Sequence, residues 1–234
     1  MTAPAFGALD VLALGTGWEA QSSSASASPT RATATGNDGD IVASTTHNAI
    51  ESGTATYIYT GAETDFATAI AAASADVGDV VDTNTLLITG YTIDYSPCAS
   101  GKRPTIAFSY RDGPILASAT YVTSLAASLP TYVATTPVVP DLLALTAGDA
   151  ETTSSQYSLV AQFGEDLDKD GEYLAGNTYA GEETIELSFV GAPTSITSTG
   201  WDQTAGPGAN TGGELTQTGY NTTSYTFIKG ITRS

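Results

Sequence analysis

A single stretch of this 234-residue chain carries a helical repeat of apolar side chains, and that scarcity constrains the fold more than any other feature. In residues 65–75 (DFATAIAAASA), Phe66, Ala69, Ile70 and Ala73 fall at i, i+3, i+4 and i+7, a narrow stripe suited to lying on a sheet. Thr64 or Asp65 is placed to cap the first turn, and alanine supplies helix propensity. The other regular segments are short apolar or alternating runs punctuated by Gly and Pro. Residues 54–60 (TATYIYT) put Ala55, Tyr57 and Tyr59 on one face and Ile58 on the other. Residues 85–95 and 103–111 read as a strand pair joined by the turn-rich SPCASGK, and further strands are expected at 131–135, 142–146, 156–163, 183–190 and 220–231. One helix among roughly eight or more strands predicts an all-β chain, a β-sandwich or β-barrel with one packed α-helix over about residues 65–75.

A chain of this length can be one all-β domain spanning 1–234, and no internal boundary is stronger than the Pro-rich run 136–140. Residues 21–40 (QSSSASASPTRATATGNDGD) are nearly devoid of large apolar side chains and contain Pro29, Gly36 and Gly39. They read as a flexible arm or long loop that contributes nothing to its own core and crosses onto a neighbouring subunit.

Lys and Arg number 7 against 25 Asp and Glu, a formal net charge of −18. Such a field repels phosphates, so grip on DNA or RNA by counterion release is disfavoured. It suits a surface that lets DNA pass without sticking, and equally one whose acids simply keep a lysine-poor protein dissolved. The lone cysteine, Cys98, excludes an internal disulfide or multi-cysteine metal site and reads as a small buried or half-exposed thiol. The first twenty residues lack a basic n-region, and no run approaches the roughly 18 apolar residues of a membrane span. The expectation is a soluble protein made and folded in cytoplasm, with no membrane partner.

No residue pattern marks catalysis. His47 is the only histidine available as a base, and it sits in ASTTHNAIE without a nucleophile elbow. No Walker loop, dinucleotide fingerprint or HExxH is present, and the chain is expected not to be an enzyme. Asp166, Asp168 and Asp170, followed by Gly171, match the opening of a calcium loop, but the twelfth position is Asn177 where a bidentate acid is needed. The run reads either as an acidic hairpin turn or as a loop-type Ca²⁺ site; no other cofactor is expected. Lys102, Arg103 and Arg111 place three of the seven basic residues within ten positions, a candidate self-assembly contact for an acidic surface on another copy. Residues 182–190 (EETIELSFV) alternate, with Thr184, Glu186 and Ser188 on one side and Ile185, Leu187 and Phe189 on the other.

The order of these features, an N-terminal arm, strands, the alanine-rich helix DFATAIAAASADVGD, the hairpin LLITGYTIDYSPCASGKRPTIAFSY and a closing half ending in YNTTSYTFIKGITRS, resembles phage tail-tube (major tail) proteins. The likeness is loose and covers most of the chain. It implies a structural virion protein assembled in the host cytoplasm: a β-sandwich whose six copies form a ring, with rings stacking into a tube whose acidic lumen passes genome DNA. Its partners would be itself and other virion proteins. In that setting Thr184, Glu186 and Ser188 are the candidate lumen strand, and Lys102, Arg103 and Arg111 lie at subunit contacts. The alternatives are a capsid decoration or fibre protein, for which Thr, Ser, Gly and Tyr richness is equally natural, and a carbohydrate-binding β-sandwich using Trp18, Trp201 and tyrosines.

Overall fold

The computed structural model of the chain describes residues 11–12, 14–27, 30–47, 51–73, 86–112, 129–133, 136–146, 150–167, 173–191, 193, 195–206 and 222–232. Among these, twelve strands and one short α-helix follow one another: β1 (Trp18–Ala27), β2 (Thr30–Thr35), β3 (Ile41–His47), β4 (Glu51–Tyr59), α1 (Phe66–Ala73), β5 (Leu86–Asp94), β6 (Thr105–Asp112), β7 (Ala144–Thr146), β8 (Glu151–Leu167), β9 (Tyr173–Val190), β10 (Ser195–Thr197), β11 (Asp202–Ala205) and β12 (Thr222–Thr232). The chain is all-β with a single packed helix, as its periodicities predict.

Eight strands make one antiparallel sheet in the order β1-β4-β6-β5-β8-β9-β12-β11, and two-stranded pairs β7–β10 and β2–β3 stand apart from it. The order divides the sheet by sequence: β1, β4, β6 and β5 come from residues 18–112, and β8, β9, β12 and β11 from 151–232. The two halves meet along β5 and β8, where Gly90–Asp94 pair with Val160–Gln156.

Strand alternation sends one set of side chains to a common buried face. One row crosses six strands, with Tyr57, Ile106, Ile93, Tyr157, Ile185 and Phe227 in register, and every member is at most 1% exposed. The next row runs Ala55, Phe108, Tyr91, Leu159 and Glu183, ending beside Lys229. Tyrosines can sit this deep where their hydroxyls find partners; the Tyr57 hydroxyl accepts the Leu12 amide at 3.0 Å, and that of Tyr95 donates to the Pro130 carbonyl at 3.5 Å.

The helix packs Phe66 and Ile70 fully inward, as its stripe requires. The Phe66 ring meets Tyr132 edge-on at 5.1 Å and Tyr95 at 5.9 Å. Its entry differs from the expected cap: a 3₁₀ turn over Glu63–Asp65 leads in, preceded by Ala62, which has no side chain to cap with. Ser74 and Ala75 lie outside the described residues.

Residues 21–40 also differ from the arm or loop expected of them. Gln21–Ala27 continue β1 along β4, and Thr30–Thr35 pair with Ile41–His47 in a hairpin that turns over Gly36–Asp40. The reason is that a strand needs only backbone partners; Ser, Ala and Thr pair well while leaving no apolar alternation to read. Side chains from Gln21 to Ala27 and from Arg31 to Thr35 are all exposed, so the stretch contributes no core, as its composition implied. Conversely, Thr131–Val133, expected as a strand, form none; Tyr132 instead serves as a core plug.

Candidate assembly surfaces

On the outer face of β9, Glu186 is exposed and Thr184 and Ser188 are half-buried, while Ile185, Leu187 and Phe189 are buried on the inner face. The alternation expected of 182–190 is therefore present. Cross-strand pairing extends it: Gln156, Glu186 and Thr226 form one outer row, and Ser154, Ser188 and Ser224 another, with Ser188 and Ser224 hydroxyls 3.0 Å apart. These two rows offer hydroxyls, one amide and one carboxylate, and no cation. A surface of that kind has nothing with which to hold a phosphate.

The three basic candidates are not brought together. Lys102 is exposed in the turn before β6. Arg103 turns inward, where its Nη1 donates to the carbonyls of Tyr59 at 2.7 Å and Gly61 at 3.1 Å and to the Tyr132 hydroxyl at 3.1 Å. It ties the end of β4 to the loop bearing Tyr132. Arg111 lies near the other end of β6, paired with Ser52 and Leu87, and the strand between it and Thr105 spans about 20 Å.

The edges of the sheet are distinct surfaces. β1 bonds β4 on one side and, among the described residues, no strand on the other. Its sequence, WEAQSSSASA, holds neither Lys nor Pro, the residues that usually keep an edge from pairing with another chain. Trp18 and Trp201, the aromatic candidates, stand at opposite edges, in β1 and just before β11. Trp18 packs against Tyr59 at 5.2 Å and Phe108 at 6.2 Å, and Lys229 lies 5.8 Å from the Trp201 ring centre. They do not share a site.

Glu183 is the residue that sequence reading passed over. It is fully buried on the apolar face of β9, accepts a 2.7 Å hydrogen bond from the Tyr157 hydroxyl, and faces Lys229 across the β9–β12 pair, Nζ to Oε2 at 3.9 Å. Burial, then the neighbouring Tyr91 and Glu183, push the Tyr157 phenol far above its ordinary range, so it remains a donor. The signal was present in the sequence: Glu183 shares parity with Ile185, Leu187 and Phe189, so an acid stands where the pattern calls for an apolar residue. What the cluster does chemically is hold register, because a one-residue slip of β9 would move Glu183 away from both Tyr157 and Lys229.

Asp166 lies in β8 opposite Ala175, with strand pairing continuing to Leu167 and Tyr173. The expected hairpin is there, four residues longer on its first strand than anticipated; Asp168, Asp170 and Gly171 lie outside the described residues. No group of three or more metal-ligating side chains occurs among the described residues, and none of their helices is long and apolar enough to cross a membrane. His47 ends β3 opposite Thr30. Cys98 is buried in a 3₁₀ turn over Ser96–Ser100, its thiol pushed up to about 11 by burial and then by Asp94. The chain matches no protein-family model and no curated protein sequence.

Proposed function

We propose that this protein is a structural subunit that assembles with copies of itself, a virion component of the tail-tube kind whose polar sheet face lines a channel for DNA. The observation that carries the reading is the outer edge of β1, ten residues long and without the Lys or Pro that ordinarily blocks edge pairing. A second copy can add its own strand there, and repetition of one such heterologous contact closes a ring when the rotation per copy permits. The cation-free rows through Glu186 and Ser188 support the channel role, since passing phosphates meet repulsion and hydroxyls instead of salt-dependent attraction. The role asks for no catalytic group or cofactor.

Negative-stain electron microscopy of the purified protein, at low and molar salt, tests this directly. Rings or tubes are the expected result. A population of monomers across all conditions sinks the self-assembly reading, and trimers without a channel favour the capsid decoration role.

A further inference from the structure

The hairpin β2–β3 has no buried face of its own. Ile41 and Val42 are 59% and 66% exposed, and as consecutive strand residues they point to opposite sides of the ribbon. An isolated two-stranded ribbon is marginally stable in water, and apolar side chains on both of its sides call for cover from outside. The ribbon hydrogen-bonds to no other strand among the described residues. It adds about 20 Å of paired chain beyond the sheet.

Strand directions place this ribbon at one end of the molecule. It joins the sheet through Ala27 of β1 and Glu51 of β4, which are paired. β4 then runs to Tyr59 at the far end, where the Tyr59 carbonyl receives Arg103 and Tyr132. The other exposed apolar pair is there: Val133, 53% exposed, adjoins Tyr132, and Val138, 61% exposed, follows in the same loop, held by Thr136 N to Val133 O at 3.0 Å and Val138 N to Thr136 O at 2.8 Å. Exposed Lys102 adjoins Arg103 at this end, whereas exposed Asp38 and Asp40 occupy the ribbon turn. The lesser charges are complementary as well, with Arg31 on the ribbon and Asp65 a few residues beyond Gly61.

We propose that the β2–β3 ribbon of one copy docks on the Val133–Val138 loop of the next, Ile41 and Val42 covering the two valines while Asp38 or Asp40 meets Lys102. The occupant is a second copy of this chain because the two surfaces match in both apolar character and charge yet lie at opposite ends of one molecule, so neither can satisfy the other within a chain. A contact between unlike surfaces propagates head to tail. The inference rests on the self-assembly reading and supplies its lengthwise contact, separate from the β1 edge.

Cysteine pairing tests it. Two proteins are made, Val42→Cys and Val133→Cys; both positions are exposed, and Cys98, 1% exposed, does not compete. After mixing under mild oxidation, disulfide dimers joining the two variants should exceed those formed by either variant alone by about tenfold. Val42→Cys pairing mainly with itself would mean that ribbons pack on one another, and would overturn the proposal. Equal, background-level linking in all samples while microscopy still shows rings or tubes would overturn this contact and leave self-assembly standing. Absence of any assembly of the unmodified protein by microscopy, together with background linking, would remove both.

Discussion

The hydroxyl of Tyr157 donates to the carboxylate of Glu183 at 2.7 Å inside the apolar side of the sheet, tying β8 to β9 where Lys229 ties β9 to β12. Removing one partner of a buried polar set costs more than the set contributes, because the group left behind keeps its desolvation penalty. Lys229→Met should therefore destabilise by about 2 kcal/mol, and Tyr157→Phe by about 1–3 kcal/mol. Adding Glu183→Gln to Lys229→Met should recover part of the loss. Urea unfolding of the single and double variants measures this; strict additivity would show that the ion pair is not coupled.

Ile70 is fully buried beneath α1. Ile70→Ala should cost about 2–5 kcal/mol, the range of buried large-to-small changes, and Ile70→Asp should prevent folding. Chemical denaturation of the alanine variant, and solubility of the aspartate variant, check the two outcomes.

Gly53 lies where β1, β4 and β6 crowd together. A methyl group there would run into the Ser24 carbonyl oxygen and stand 2.5 Å from the Tyr110 hydroxyl oxygen. Gly53→Ala should lower the unfolding temperature by several degrees, more than the same change at exposed Gly230, where nothing stands within 4 Å. Parallel thermal melts of the two variants decide it.

Cys98 should resist alkylation at pH 8 in the folded protein and react once the chain is unfolded, because its thiol is buried and held protonated up to about 11. Its contribution to stability has a definite sign. The folded chain retains a proton that the unfolded chain releases near 9, so the contribution is complete below pH 9 and falls away between 9 and 11. Cys98→Ala should flatten that part of a stability-against-pH curve, measured by urea midpoints at fixed pH.

With a net charge of −18, self-repulsion opposes the compact state and added salt screens it. The unfolding temperature should rise as NaCl goes from about 0.05 M to 1 M, most steeply at the low end where the Debye length changes most. A flat dependence by circular dichroism would mean that the acids are spaced too widely to repel.

The elements that sequence made legible are those whose side chains are sorted by burial. Ala55, Tyr57 and Tyr59 alternate because β4 has one wet face, and Phe66 and Ile70 recur because α1 lies on the core. β2 and β3 left no such trace, since all their described side chains are exposed and only backbone pairing defines them. The basic trio misled for a related reason: proximity along β6 says nothing about direction, and Arg103 turns in to backbone carbonyls while Arg111 lies far along the strand. Glu183 could have been found by parity alone, but its partners Tyr157 and Lys229, 26 and 46 positions away, could not.

The division of the sheet at the β5–β8 seam has a consequence for how the chain is made. Strands β1, β4, β6 and β5 can all pair with one another once residue 112 is available, before any residue of β8 has been synthesised. Until then β5 presents Tyr91 and Ile93 beside an open edge, and those are the residues that later lie against Leu159 and Tyr157. A ribosome-bound intermediate therefore has a definite vulnerable flank, the β5 edge, and the arrival of residues 156–160 is the event that closes it. Factors that bind nascent chains have one place to act on this protein, and the interval during which they are needed is set by the time taken to translate from residue 112 to about residue 160.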